Sequence, residues 1–451
     1  MKTIRIGSGA GYGGDRIEPA LDLIKEGNLD YIIFECLAER TIALAQKEKL
    51  ADETKGYNPL LEYRFEKILP LLKEHPVKII TNMGAANPIF AARKVKELAE
   101  KHGVGGLKIA ALIGDDIVEK LSEFKNEPVM ETGRPLAELA ENILSANAYI
   151  GGEKITEALA GGADIIITGR VADPALVIGP MMHEFGHEFN DFDFLGKGTV
   201  VGHLLECAGQ VTGGYFADPG YKDVADLWNL GFPIAEVSEN GDIVITKLSD
   251  KGGEVTVDTV TEQLLYEIQD PTNYQTPDVV ADFSKVTLTE IATDRVAVAG
   301  ATGKARTGSL KVSVGYTDGF IGEGEISYGG HNALKRAQLA AEIIEKRFEL
   351  LGYHYEELRI DYIGVDSLYK DKLGNKFLGS DPSFSEIRLR IAARTHDKAL
   401  AAKVGQEVEA LYTNGPSAGG GARGKVTSIV SVASVLVPED LPSLELVWEE
   451  V

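Results

Sequence analysis

Thr3-Ile-Arg-Ile-Gly7-Ser-Gly-Ala-Gly-Tyr-Gly-Gly-Asp15-Arg16 is an apolar run that breaks into a glycine-rich turn, and a helical pattern over residues 17–25 follows it. The same succession recurs. Apolar runs at 31–34, 77–80, 107–113 and 164–167 read as buried strands, with helical patterns at 38–47, 59–73, 88–102 and 153–159 between them. Strand and helix in alternation predict a mostly parallel sheet. Crossovers of this length favour an open doubly wound sheet over a barrel, which needs about eight such units.

Beyond residue 215 the pattern changes. Residues 242–248 and 254–260 alternate like hairpin strands around Lys251-Gly-Gly253. Further strands are expected at 309–316, 319–328, 358–365, 386–393 and 426–437, and helices at 332–351 and 397–412. The expected organisation is an α/β N-terminal domain over 1–220, with an open, mostly parallel doubly wound sheet, and a C-terminal α+β domain over 221–451.

The chain of 451 residues is 44% hydrophobic and 25% charged, a globular composition. With 46 Lys and Arg against 69 Asp and Glu, its formal charge of −23 repels phosphate backbones and anionic membrane surfaces. Nucleic acid and membrane are therefore not expected partners. Two cysteines, Cys36 and Cys207, cannot supply a disulfide framework or a four-cysteine zinc site. A reducing compartment fits, and with no apolar stretch suited to a signal peptide or a membrane span, the cytoplasm is the expected location.

In an open α/β sheet ligands bind outside the carboxyl ends of the strands, so the residues following each strand carry the functional expectation. Those loops hold Gly11, Gly13, Gly14, Asp15 and Arg16; Glu35; Asn82 and Asn87; Asp115; and Arg170 and Asp173. Asp15, Asn87, Asp115 and Asp173 also suit helix N-caps, but Arg16, Glu35 and Arg170 do not, and a long ionisable side chain is costly to bury unpaired. The pattern predicts a small-molecule site. Arg16 and Arg170 would clamp a carboxylate, Asn82 with loop N–H groups would stabilise an oxyanion, and Asp15 or Glu35 with Asp173 would exchange protons. Gly11, Gly13 and Gly14 would cradle an anion, with Asn87 and Asp115 beside it. So acid-rich an edge also suits a divalent cation such as Mg or Mn.

Two motifs compete with this reading. Gly9-Ala-Gly11-Tyr-Gly13-Gly14 satisfies the dinucleotide pattern, with Glu35 where a ribose-binding acid would stand, but Asp15 would put a negative charge beside the pyrophosphate. NAD is the less favoured cofactor. His183-Glu-Phe-Gly-His187 matches the zinc-protease string, yet Gly186 interrupts the helix that the mechanism needs. Glu206 and Cys207 form a candidate sixth loop, with Cys207 read either as nucleophile or as a buried structural thiol. Arg423, in the glycine-rich stretch 415–424, is read either as an anion-binding residue or as part of a flexible connection.

The strings Gly9-Ala-Gly-Tyr-Gly-Gly-Asp-Arg16, Asn82-Met-Gly-Ala-Ala-Asn-Pro88, Thr168-Gly-Arg-Val-Ala-Asp-Pro174 and Gly202-His-Leu-Leu-Glu-Cys207 resemble the acyclic terpene utilisation (AtuA-like) family. The resemblance implies a role in bacterial carboxylic-acid or isoprenoid catabolism and supplies no catalytic residue to carry over. It also implies that longer relatives carry a small ferredoxin-like domain, so a separate ferredoxin-like partner subunit is one expectation. The first functional expectation is a non-redox lyase or hydratase acting on a branched carboxylate or its acyl-CoA thioester, in a homo-oligomer. The alternatives are an NAD-linked oxidoreductase and a non-catalytic binding or scaffold subunit.

Overall fold

Residues 1–370 and 386–451 are described by the structure, a computed structural model. They form two compact units, Met1–Gly315 with Val432–Val451, and Tyr316–Ser431.

The first unit opens with strands β1 (Thr3–Ala10), β2 (Tyr31–Phe34), β3 (Lys78–Thr81), β4 (Lys108–Ile113), β5 (Ile143–Ala148) and β6 (Ile165–Thr168). Among them run helices α1 (Glu18–Glu26), α2 (Glu39–Ala51), α3 (Leu61–Ile68), α4 (Pro88–Lys101) and α5 (Glu153–Ala160), and α6 (Ala175–Phe185) and α7 (Phe192–Glu206) follow. The alternation read from the sequence is present. β1 pairs parallel with β2, β2 with β3, β3 with β6, and β6 with β4. The fifth strand of the sequence pattern thus lies between the third and the fourth. β5, which periodicity did not reveal, lies off this sheet.

Beyond residue 220 come β7 (Ile234–Ser238), β8 (Ile243–Thr246), helix α8 (Val257–Leu265), β9 (Tyr274–Gln275), β10 (Val280–Asp282), β11 (Thr287–Ala292), β12 (Arg295–Ala299) and β13 (Thr302–Lys304). β7 pairs antiparallel with β1, and β8, β12 and β11 extend that side. The C-terminal strand β18 (Glu445–Glu450) pairs antiparallel with β4 and closes the other side of a ten-stranded sheet. Strands from both sides of residue 220 therefore share one sheet.

Leu23, Phe65 and Val95 from α1, α3 and α4 pack with Ile32, Ile79 and Ile165 into one core. Ile33, Ile80 and Ile166, of the opposite parity, are also buried, and α6 and α7 contact β2 and β1. Each fully buried isoleucine contributes about 1.5–3 kcal/mol. Both faces being covered explains why these strands read as unbroken apolar runs.

The expected strand at 254–260 is instead the start of α8. Thr256 Oγ1 accepts the Thr259 N–H at 3.2 Å and Thr259 Oγ1 accepts that of Thr256 at 3.0 Å. This reciprocal cap outweighs the strand preference of the Val and Thr residues. The hairpin forms one step earlier, between β7 and β8.

The second unit takes in most of β14 (Ser309–Gly329), then α9 (Ala333–Leu351), β15 (Glu357–Ile363), β16 (Glu386–Thr395), α10 (Lys398–Asn414) and most of β17 (Gly419–Pro438). Its sheet order is β15-β16-β14-β17, with β16 antiparallel to both β14 and β15. This is the connectivity of a split β-α-β unit, with Ala337, Ile344, Val404 and Val408 of the helices packed against Ile326, Leu389 and Ile391. The two strands expected at 309–316 and 319–328 are one, because Gly319 takes φ +84° without ending it. The stretch 415–424, expected as a loop, is strand from Gly419 onward.

Candidate functional site

β1 ends in Ala10, and the turn after it folds around the Asp15 carboxylate. Asp15 Oδ2 accepts the Gly11 N–H at 2.9 Å, and Oδ1 accepts the Arg16 N–H at 2.8 Å. Pro19 sits in the first turn of α1, so the helix starts at Glu18, beyond Asp15, and Asp15 ties the loop rather than capping the helix. Gly11 has no room for a side chain, since a Cβ would stand 2.7 Å from the Cys207 carbonyl oxygen. That close approach joins the first loop to the end of α7.

The β2 loop supplies Glu35. Its Oε1 accepts the Leu37 N–H and the Asn82 Nδ2–H, both at 2.9 Å, while Asn82 Oδ1 accepts the Cys36 N–H at 2.7 Å. Asn82, which reaches over from the end of β3, therefore has both faces of its amide engaged with the β2 loop. Arg64 of α3 lies behind, fully buried, donating to the Cys36 thiol at 2.9 Å and to the Asp15 carbonyl at 3.0 Å.

β6 lies beside both β3 and β4, so its loop comes up in the middle of the edge. Arg170 stacks over the Tyr149 ring at 4.1 Å, donates to the Leu37 carbonyl, and pairs with Asp173 Oδ1 at 2.6 Å. Asp115 of the β4 loop accepts the Arg170 N–H at 2.9 Å and the Asn147 Nδ2–H at 2.9 Å. Asp115 thus braces the backbone of the arginine.

Gly11, Gly13, Asp15, Arg16, Glu35, Arg170 and Asp173 line one cleft of about 850 Å³. Asn82 and Asp115 stand behind it as partners of Glu35 and Arg170. Asn87 lies elsewhere, its amide donating to the Glu53 and Lys55 carbonyls at 2.8 Å each. Gly14 does not line the cleft, and Arg423 is an exposed residue of the second unit.

Further acids on the cleft wall are Glu39, Glu206 and Glu267. Glu39 accepts a hydrogen bond from the Tyr149 hydroxyl and pairs with Lys311 at 3.1 Å. Glu206 Oε1 meets His203 Nδ1 at 2.9 Å, and its Oε2 is buried without a hydrogen-bond partner. His203 Nε2 faces the Leu264 carbonyl at 3.3 Å, an obligate acceptor, so that nitrogen carries a proton. The signal for this pair was the i, i+3 spacing of His203 and Glu206 on one helix face. Glu206 and Cys207, expected as a sixth loop, do line the cleft, and what went unread was the partnership of Glu206 with His203.

Burial first, and the Asp173 charge second, push the Glu35 carboxyl from its ordinary 4.5 up to about 8. Enclosure raises Asp173 as well, against the pull of Arg170 and with 34% of its side chain open to solvent. Burial raises Asp115 to about 6. Glu39 goes the other way: burial opposes it, but the Tyr149 hydrogen bond, its own backbone N–H and the Lys311 and Arg170 charges bring it to about 2. Burial and Glu206 drive the Cys207 thiol far above its ordinary value, which removes the thiolate that a nucleophile requires.

The His183-Glu-Phe-Gly-His187 string is split by the fold. Gly186, at φ +68°, ends α6, and His187 stacks on Phe194 and meets Asp191 Oδ2 at 2.8 Å. Among the described residues no group of three or more His, Cys, Asp or Glu is arranged to hold a metal ion, and no helix is long and apolar enough to cross a membrane.

No curated protein matches the chain. The family model of the acyclic terpene utilisation family protein AtuA matches residues 4–446, and the chain belongs to that family.

Proposed function

We propose that the cleft performs non-redox proton-transfer chemistry, as a lyase or hydratase acting on a branched carboxylate or its thioester. The observation that carries this reading is Glu35, a buried carboxyl on the cleft wall whose acidity of about 8 keeps its proton in place at neutral pH. A neutral carboxylic acid held by two N–H donors is a general acid poised near its operating pH. Asp173 beside Arg170 supplies a second carboxyl with a raised proton affinity. The walls also offer Leu227, Leu230 and Phe232, a surface suited to the branched hydrocarbon that the family description suggests. With α1, α3 and α4 on one face and α6 and α7 on the other, the parallel core reads as a doubly wound sheet, and its ligand as lying outside the carboxyl ends of the strands.

The NAD-linked alternative is disfavoured by the same first loop. A dinucleotide cradle presents free N–H groups to the pyrophosphate, whereas here the Gly11 and Arg16 N–H groups are held by the Asp15 carboxylate.

The test is deuterium wash-in from D2O at the carbon next to the carboxyl of branched acids and thioesters, read by mass spectrometry. The protein should catalyse exchange on at least one of them, and Glu35→Gln should abolish it. Absence of exchange across the panel, or equal exchange by Glu35→Gln, would overturn the proposal.

A further inference from the structure

We infer that the cleft takes a free carboxylic acid, clamped at its mouth by Arg16, and not the coenzyme A thioester of that acid. This rests on the proposed function and narrows it to one substrate class. The cleft walls carry more acidic than basic side chains. Six acidic residues, Asp15, Glu35, Glu39, Asp173, Glu206 and Glu267, of which Glu35 holds its proton at neutral pH, face two cations, Arg16 and Arg170, among the described lining residues.

Both amino groups of Arg170 are already committed. Its side chain is 1% exposed, one amino group pairs with Asp173 at 2.6 Å, the other donates to the Leu37 carbonyl, and its plane lies on Tyr149. Arg16 differs: it is exposed, and its guanidinium has one long contact, 3.5 Å to the Trp228 carbonyl. Its planar fork is free to take a carboxylate with two parallel hydrogen bonds.

Coenzyme A brings several phosphate groups, which proteins hold with clustered cations or with backbone N–H groups at loop and helix starts. Clustered cations are not on offer here, and several of the N–H groups around the cleft are already taken. The N–H groups of Gly11 and Arg16 go to Asp15, that of Cys36 goes to Asn82, and that of Leu37 goes to Glu35. A polyanion here would find a single uncommitted cation, Arg16, against a surplus of acidic side chains. A single carboxylate needs one arginine, and the apolar remainder of a branched acid fits Leu227, Leu230 and Phe232 on the wall.

The test uses the full chain and three probes: dimethylacrylate, dimethylacryloyl-CoA and coenzyme A alone, in calorimetric titrations at neutral pH. The free acid should bind saturably, and Arg16→Gln should weaken it by about tenfold or more while the thermal midpoint without ligand stays unchanged. Neither coenzyme A species should bind. Thioester binding as tight as that of the acid, or tighter, would overturn this inference and leave the proton-transfer reading standing. Failure of both the acid and the thioester to bind would remove the parent reading with it. Acid binding that Arg16→Gln leaves untouched would refute the clamp.

Discussion

Asn82 holds the Glu35 side chain and the Cys36 backbone with one amide, donating to Glu35 Oε1 at 2.9 Å and accepting from the Cys36 N–H at 2.7 Å. A residue expected to touch an oxyanion has its amide engaged with the Glu35 side chain and the β2 loop. Asn82→Ala leaves a buried N–H and a buried carboxyl short of a partner, at a cost of about 1–3 kcal/mol. Because the Asn82 bond favours the charged form, its loss should raise Glu35 further above its value of about 8. Urea denaturation checks the first effect, and an NMR titration of the labelled glutamate checks the second.

Glu35 also shapes the pH dependence of stability. Its folded value lies above the unfolded one, so the folded state keeps a proton that the unfolded state releases between about pH 4.5 and 8. Stability carried by that proton is full below the unfolded value and is lost as pH rises through the folded one. Glu35→Gln, which retains an acceptor for Leu37 and Asn82, should match the parent near pH 4 and exceed it above pH 8, on the order of 2–4 kcal/mol. Thermal unfolding across that range is the measurement, and an equal gain at both ends would contradict it.

The contact of Gly11 with Cys207 makes two neighbouring glycines unequal. Gly11→Ala drives a Cβ to 2.7 Å from a backbone oxygen that cannot move alone, and should cost about 1–3 kcal/mol together with ligand binding. At Gly14 the nearest atoms belong to the Tyr12 ring, which is 62% exposed and free to swing away. Gly14→Ala should stay within about 0.5 kcal/mol of the parent. Comparable losses in the two variants would show that the loop does not pack as described.

His203 tests the buried pair at the end of α7. Burial lowers its proton affinity, but the Glu206 carboxylate and the carbonyl facing Nε2 more than offset this, so the imidazole is raised above its ordinary value. Glu206→Gln removes the charge and keeps the shape, and His203 should then titrate lower than in the parent. A nitrogen-detected NMR titration of the histidines reads this directly, and an unmoved His203 would break the assignment of the pair.

Much of the site was visible in the sequence because strand ends in a parallel sheet have a fixed meaning. Five apolar runs, each followed by polar residues, are enough to place Asp15, Arg16, Glu35, Arg170 and Asp173 on one edge, and the fold brings these to one cleft. What misled was residue type taken without context. Asn87 and Asp115 look like ligands, but Asn87 stands at the N-cap of α4 with its amide holding loop carbonyls, and Asp115 braces an arginine. The strand expected at 254–260 failed because Thr256 and Thr259 satisfy each other's backbone, a local exchange that alternation does not register.

The sequence by itself determined the parallel strands, the polar edge and the acidic surplus, since burial on both faces and loop chemistry are written locally. Strand order was decided only in three dimensions: β6 sits between β3 and β4, which sets Arg170 between the loops that carry Asn82 and Asp115. The tertiary structure also decided which charges are free. Contacts between distant residues, the Arg170 guanidinium on the Leu37 carbonyl and the Cys36 N–H on Asn82, join the local Arg170–Asp173 pair and leave Arg16 open, because a side chain's chemistry depends also on partners that no local pattern names.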